Sequence, residues 1–321
     1  MAAPIPEVPY YIGMNLIWDP GSSKVWDAFH REHGGALQQS WGYGAALERL
    51  GVRVHRAIAD IDGRTVGIAQ FICRRIPGYL TLSSCTRGPV WAPDLSPEAR
   101  HALYRRLRRE LPAPRLRVTL FSPDRTAAEL APAEVGGLLR VMTGYSTVVL
   151  DLKQNPETLR AAFDGKWRNR LVKAETEKRL QVHVNSNVPK CRELLEREGK
   201  QRESRNFHGL PTDFVLHWID AAASPAAAFV IARADLDGTT VAAMLFLLHG
   251  SVSTYHIGWA NDAGRELNAH NLLLWRAMQG LRERGIASVD LGGVNTHALP
   301  GISRFKLGTG GAVRTLAGTY C

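Results

Sequence analysis

Lys306 is the single lysine in the last 121 residues, where nine arginines stand. Arginine outnumbers lysine 32 to eight along the whole chain, so an ammonium kept at this one place implies a task a planar guanidinium fork does not serve. A compact point charge held against a developing oxyanion is such a task, and a surface lysine at a strand end is the plainer reading of the residue taken alone. Asp290 closes an apolar strand just ahead of Gly292 and Gly293, where bare backbone lets a ligand come close; it is equally placed to cap the following turn. Lys166, Arg168, Arg170 and Lys173 recur at helical spacing around Trp167 and Leu171, a set suited either to gripping phosphates or to facing water. Arg205, within Arg202-Glu-Ser-Arg-Asn206, is a further phosphate candidate. Tyr255 and Trp259 share one strand and line either a cleft or a core.

Other chemistries lack their residues. His30 and His33 flank Glu32, but neither HExxH nor an H-x-E…CxxC pattern occurs, and no metal ligand spacing is expected. No serine or cysteine sits in a nucleophile elbow, and the four cysteines are scattered, as expected for reduced thiols. The net charge is +10, and seven arginines with one acid, Glu110, lie between Arg100 and Arg117. Such a run attracts phosphates, RNA or an anionic membrane face, or simply faces solvent on a helix. The longest apolar run, Val241–Leu248, is too short to span a bilayer, and Pro4, Pro6, Glu7 and Pro9 break any leader-like segment, so a cytoplasmic location is expected.

The elements that must position these residues come in two copies. A length of 321 residues fits two domains, and Ala59-Asp-Ile-Asp-Gly-Arg-Thr-Val66 repeats as Ala234-Asp-Leu-Asp-Gly-Thr-Thr-Val241 at an offset of 175. Asp-Gly between apolar segments predicts a tight hairpin in each copy. A strand follows (Tyr79–Ser83; Ser253–Gly258), then a helix (Pro97–Leu111; Asn268–Arg284), then a closing strand (Leu116–Phe121; Ala287–Leu291). Leu103, Leu107 and Leu111 in the first helix, and Leu274, Ala277, Met278 and Leu281 in the second, give each an apolar stripe. The reading is two copies of one α/β unit, 1–144 and 145–321, with the last strand, about 308–321, a candidate to cross back to the first unit.

Hairpin, strand, helix, strand is the order of the GNAT acyltransferase fold, and two such units in tandem resemble the Fem family of tRNA-dependent aminoacyl transferases. Leu37-Gln-Gln-Ser-Trp41 is similar to the family's opening segment, and Thr86-Arg-Gly-Pro-Val90 to its RGPV turn. Phe163…Lys166-Trp-Arg-Asn-Arg-Leu-Val-Lys-Ala-Glu175 resembles its basic helix. Val289-Asp-Leu-Gly-Gly293, Gly301-Ile-Ser-Arg-Phe-Lys306, Gly308…Gly310-Gly311 and Gly318-Thr-Tyr320 resemble the family's C-terminal DxGG…FKxGxGG…GxY array. The resemblance implies Lys306 as the oxyanion-binding lysine of the FK pair, Phe305 as a wall of its pocket, and Asp94, just after the turn, as a group that orients or deprotonates the attacking amine. It places Trp41 near the acceptor. It further implies aminoacyl-tRNA as co-substrate, an amine acceptor such as a nucleotide- or lipid-linked peptidoglycan precursor, and no other cofactor. A CoA-dependent N-acyltransferase of the same fold is the alternative, although neither Asp94–Arg100 nor Arg265–Asn271 has the glycine pair that cradles a pyrophosphate. A non-catalytic RNA- or precursor-binding module is the third.

Overall fold

The computed structural model describes residues 13–76, 79–204, 209–296 and 299–321. In chain order the first half contains β1 (Met14–Trp18), α1 (Lys24–Glu32), α2 (Trp41–Arg49), β2 (Arg53–Ile61), β3 (Arg64–Ile76), β4 (Leu80–Thr86), β5 (Val90–Trp91), α3 (Pro97–Glu110), β6 (Arg117–Ser122) and β7 (Arg140–Met142). The second begins with β8 (Ser146–Asp151), α4 (Pro156–Ala162), α5 (Gly165–Thr176), β9 (Leu180–Asn185), α6 (Val188–Ser204), α7 (Asp213–Ala221) and α8 (Pro225–Ala228). It continues with β10 (Phe229–Leu236), β11 (Thr239–His249), β12 (Val252–Ala260), α9 (Asp262–Glu266), α10 (Ala269–Glu283), β13 (Ser288–Val294), α11 (Pro300–Leu307), β14 (Ala312–Thr315) and β15 (Thr319–Tyr320).

The repeated octapeptides form the same hairpin twice. Asp62 and Gly63 have φ of 52° and 83°, and Asp237 and Gly238 have 49° and 79°, the left-handed pair that a two-residue turn between twisted strands demands. Each hairpin has its register shift at the equivalent place, Ala59/Asp60 and Ala234/Asp235. A strand then pairs antiparallel to the hairpin and parallel to the strand after the helix: β4 lies between β3 and β6, and β12 between β11 and β13. The helix limits follow local rules. The Ser96 side chain caps α3 by accepting from Ala99 N at 3.2 Å, Pro97 occupies its first turn, and Ala102, Leu103, Tyr104 and Leu107 turn inward.

The two sheets run in the orders β1-β2-β3-β4-β6-β15-β7 and β14-β8-β13-β12-β11-β10-β9. The chain's last segment serves both: β14 pairs with β8, whereas β15 pairs with β6 and β7. One apolar core lies between the halves, where Leu37, Ala46, Leu47 and Val54 meet Phe214, Val215, Trp218, Phe229, Leu245 and Leu247. Tyr43 stands edge-on to Phe214 with ring centroids 5.3 Å apart. Among the described residues no helix is long and apolar enough to cross a membrane.

Gly144 is where the returning C-terminal segment presses on the link between halves. A Cβ there would lie 1.7 Å from the carbonyl oxygen of Leu316 and 2.4 Å from its carbon, both backbone atoms that cannot swing aside. Gly144→Ala should therefore lower unfolding stability by about 2–4 kcal/mol in denaturant titrations. Gly165→Ala, where nothing lies within 4 Å of the added methyl, should be neutral or slightly stabilising.

Candidate active site

The second sheet opens where the first stays closed. β4 and β6 pair along their length, from Thr81–Arg117 to Thr86–Ser122. β12 and β13 pair only over Val252–Ser288, Ser253–Val289 and Thr254–Asp290, and then part. A bulge on β12 follows at once, with Tyr255 facing Phe246 and Ile257 facing Leu245, so His256 is the extra residue. β13 likewise breaks register with β8 between Asp290 and Gly293, with Gly292 at φ 75°. Unpaired backbone and glycine at the mouth of a parted strand pair leave room for a reacting group.

The Lys306 side chain reaches this opening. It rises from the last turn of α11 rather than from a loop; Pro300 in the first turn and Gly308 after the last residue bound a short helix that Gly301 does not break. Its ammonium donates to Gly293 O at 2.8 Å and lies 6.0 Å from the centre of the Tyr255 ring. Gly292 leaves the approach clear, since a Cβ there would sit 3.6 Å from Lys306 Nζ. The residue is only 8% exposed, and Gly293 O is the one hydrogen-bond acceptor of Nζ among the described residues. The ammonium has three donors, so two remain for a ligand. Burial lowers its pKa from the usual lysine value, and the charge of Asp290 acts the other way.

Aromatic side chains wall one side. Phe305 lies with its ring 5.9 Å from Trp167 and 6.2 Å from His270, and Trp167 donates its indole N–H to Phe305 O at 3.0 Å. Trp167 belongs to α5, whose start is capped by Asp164 accepting from Trp167 N at 2.7 Å. Asp164 N in turn donates to Gly308 O, so the basic helix is fastened to the end of α11. Lys166, Arg168, Arg170 and Lys173 are exposed along it and pair with no carboxylate among the described residues, while Trp167, Leu171 and Ala174 are buried.

The other side is ionic and joins the halves. Arg87, buried and at φ 52°, donates to Asp290 through Nη1 and to Asp124 through Nε and Nη2 at 3.0 and 2.8 Å. A left-handed backbone is uncommon outside glycine, so the two carboxylates hold this residue against its local preference. Asp290 also accepts from Thr147 Oγ1 and, at 2.7 Å, from Gly292 N. Burial alone would raise its pKa, but the Arg87 charge and these hydrogen bonds hold it below the usual carboxylate range. His249, whose ring stands 5.8 Å from that of His30, is pushed down to about 3 by burial, then by His30, and is neutral at pH 7. Arg87, Asp124, Arg125, Arg314, His33 and Trp91 line a cavity of about 400 Å³.

The sequence candidates divide accordingly. Lys306, Tyr255, Asp290, Gly292 and Gly293 come together at the opening, whereas the Phe305 ring packs with Trp167 and His270 on the core of the second sheet. Asp94 does not join them: Arg64 grips its exposed carboxylate at 2.7 and 2.9 Å, a bond that lowers its pKa, and Asp124 is the acid beside Arg87 instead. Trp41 lies beneath the Arg56 guanidinium at 4.3 Å and beside Trp26, and Trp259 beneath Arg197 at 4.8 Å; both are packing partners of arginines. Arg205 falls outside the described residues. Sequence reasoning passed over Asp124, Thr147 and His249, and quoted Arg87 only within its motif. A charged residue just before Gly88-Pro89 was the one local signal available, and nothing in the spacing tied it to a carboxylate 203 positions away.

Residues 161–307 match the family model of the acetyltransferase (GNAT) domain. Among solved structures, FemX is similar over 95% of this chain and 96% of its own, at 16% identity and a TM-score of 0.80. The C-terminal domain of a protein designated a lysylphosphatidylglycerol synthetase, from Agrobacterium fabrum, is similar over 93% and 92% at 15% identity and a TM-score of 0.57. A tandem GNAT protein from the clavulanic acid biosynthesis pathway is similar over 96% and 97% at 12% identity and a TM-score of 0.50. No curated protein sequence matches the chain with significance.

Removing one partner of the central ion pair leaves buried charge uncompensated, so Arg87→Met should cost about 3–5 kcal/mol in denaturant titrations. Because the folded state holds the Asp290 pKa down, its contribution is present above the unfolded carboxylate value, about 3.9, and is lost as pH falls through the lower folded value. In acid titrations Asp290→Asn should thus show a shallower loss of stability below about pH 4 than the parent protein.

Proposed function

We propose that this chain, a tandem GNAT-fold protein with the architecture of FemX, transfers an aminoacyl group from a charged tRNA to an amine and forms an amide bond. The observation that carries the reading is the buried Lys306 ammonium, held in the parted strands with two donors unspent. The acceptor amine attacks the ester carbonyl, the carbonyl oxygen takes up negative charge, and the Lys306 N–H groups bind that oxygen more tightly as the charge develops. The tetrahedral intermediate collapses by breaking the ester C–O bond, and the proton lost by the amine ends on the departing ribose hydroxyl. No external energy source is needed, because an ester is exchanged for an amide.

The flanking parts suit the two substrates. Exposed cations on α5, starting beside Trp167 and Phe305, are placed for phosphates near a tRNA 3′ end. The cavity at Arg87 is lined by Arg87, Arg100, Arg125, Arg314 and Asp124, the arginines each paired with a carboxylate, a polar wall that fits an acceptor carrying hydrogen-bonding groups beside its amine. Peptidoglycan precursors, small-molecule amines and lipid-linked amines all meet that description. The names of FemX and of the lysylphosphatidylglycerol synthetase support an aminoacyl donor. The acetyltransferase domain match keeps an acyl-CoA donor as the second reading. Against it, the stretch before α10 carries Asp262 and Glu266 and no glycine pair, and the His270 ring is turned to Trp259 O.

With a mixed pool of charged tRNAs and candidate amines, the protein should consume an aminoacyl ester and ignore acetyl-CoA; turnover of an acyl-CoA without tRNA would favour the second reading. Lys306→Ala should lower the single-turnover rate by ~10²–10³ with little change in donor binding, and Lys306→Arg should restore little of it. A wild-type single-turnover rate in Lys306→Ala would remove the mechanism. The active form is the ammonium and burial lowers its pKa, so the rate should fall on an alkaline limb whose midpoint lies below the ordinary lysine value of about 10.4.

A further inference from the structure

The arginines of α3 are divided between two faces. Arg100 turns inward, and its buried guanidinium donates to Glu134 at 2.8 Å, tying the short turn Pro132–Val135 to the helix. Arg105, Arg108 and Arg109 turn outward, next to Arg115 and Arg117. With His101, these five line a groove of about 910 Å³ whose opposite bank is the backbone around Gly136 and Gly137. Among the described residues no carboxylate lines it. Arg109 shares Glu110 with Arg106, and Arg117 donates to the carbonyls of Arg108, Arg109, Ala113 and Pro114 at the end of the helix, which fixes it in the floor. Arg105, Arg108 and Arg115 are exposed and pair with no carboxylate among the described residues.

We propose that this groove binds the sugar–phosphate backbone of an RNA strand. The inference rests on the tRNA reading above and adds a second contact to the donor, on the first half of the chain. Five cations around one concavity repel one another, and a strand carrying regularly spaced phosphates relieves that repulsion at several places at once, which a single small anion does not. The concavity also argues against a membrane. Bilayer phosphates lie in a sheet, whereas half-buried Arg117 and buried Thr119 form a floor set below the exposed arginines. Among the described residues no phenylalanine, tyrosine or tryptophan lines the groove, and its arginines suit the phosphates of the backbone, a recognition independent of sequence and sensitive to salt. β6 runs from the groove floor at Arg117 to Ser122, two residues from Asp124, a span of about 17 Å at the usual strand rise. A strand seated in the groove is therefore one short unpaired segment away from the Arg87 cavity.

The test uses the full chain and an uncharged RNA hairpin with an unpaired 3′ tail, titrated by fluorescence anisotropy over a range of KCl. The variant Arg105→Gln/Arg108→Gln/Arg115→Gln should bind at least tenfold more weakly at low salt. Its plot of log K against log salt should be shallower by about 2, from three lost phosphate contacts. Its thermal midpoint should match the parent, since all three side chains are exposed, which separates lost binding from misfolding. Unchanged affinity and slope would overturn the proposal. So would binding to phosphatidylglycerol vesicles that depends on these arginines while the hairpin does not bind. The hairpin carries no amino acid, so the two readings fail separately. If charged tRNA is not consumed yet the hairpin binds through these arginines, the aminoacyl transfer falls and the groove stands. If the triple variant uses charged tRNA with the parental KM, the groove falls and the transfer stands.

Discussion

The Arg87 guanidinium, largely buried between Asp124 of the first half and Asp290 of the second, is the contact on which the geometry of the opening depends. A buried charge is costly unless paired and hydrogen-bonded, so neither half can shift without exposing an uncompensated ion. The pair also fixes what lies next along β13. Asp290 receives Thr147 and the Gly292 N–H on its other oxygen, which sets the path of the glycine pair, and the Gly293 carbonyl on that path holds Lys306. One ion pair thus links the turn after β4, the break between β12 and β13, and the ammonium.

The two copies of the unit have diverged in the feature that matters for chemistry. Both keep the hairpin, its bulge and the parallel strand beyond the helix. In the first copy the parallel pair runs unbroken, and Gln39 bridges the neighbouring strands β3 and β4 past their last backbone pair, donating to Thr86 O at 2.9 Å and accepting from Gln70 N at 2.8 Å. In the second copy the pair parts after three residue pairs. A closed sheet cannot admit a group between its strands, because each backbone donor and acceptor there is already spent. The first half is accordingly a scaffold and a bank of cations, and the second holds the opening.

The distribution of charge follows the same division. Arginine serves where a planar fork meets two oxygens, as at Arg87, at Arg56 on Glu48 and at Arg160 on Glu175. Lys306 differs from these: it is buried, with a single carbonyl acceptor and a lowered pKa.

Features set within a few residues were legible in the sequence. Asp-Gly requires positive φ whatever surrounds it, so both hairpins and their equivalence followed from residues 59–66 and 234–241. Ser96 and Pro97 fix the start of α3 by capping, and its leucine spacing fixes the buried face. That Lys306 stands alone among the last 121 residues was legible from composition, whereas its candidate role came from the resemblance of its Phe-Lys pair. Features set by docking were not. Asp94 follows the RGPV turn by four residues, but the Pro93 loop carries it out to Arg64, while Asp124 reaches Arg87 because β6 lies next to β4. Lys306 lies on a helix end because α11 is stopped by Gly308 against Trp167, and the register that puts Gly293 O before its ammonium is set where β13 breaks from β8. Turn chemistry, capping and periodicity act along the chain, over a few residues. The pairing of charges hundreds of positions apart is set by how two sheets pack, and only the folded chain brings those charges together.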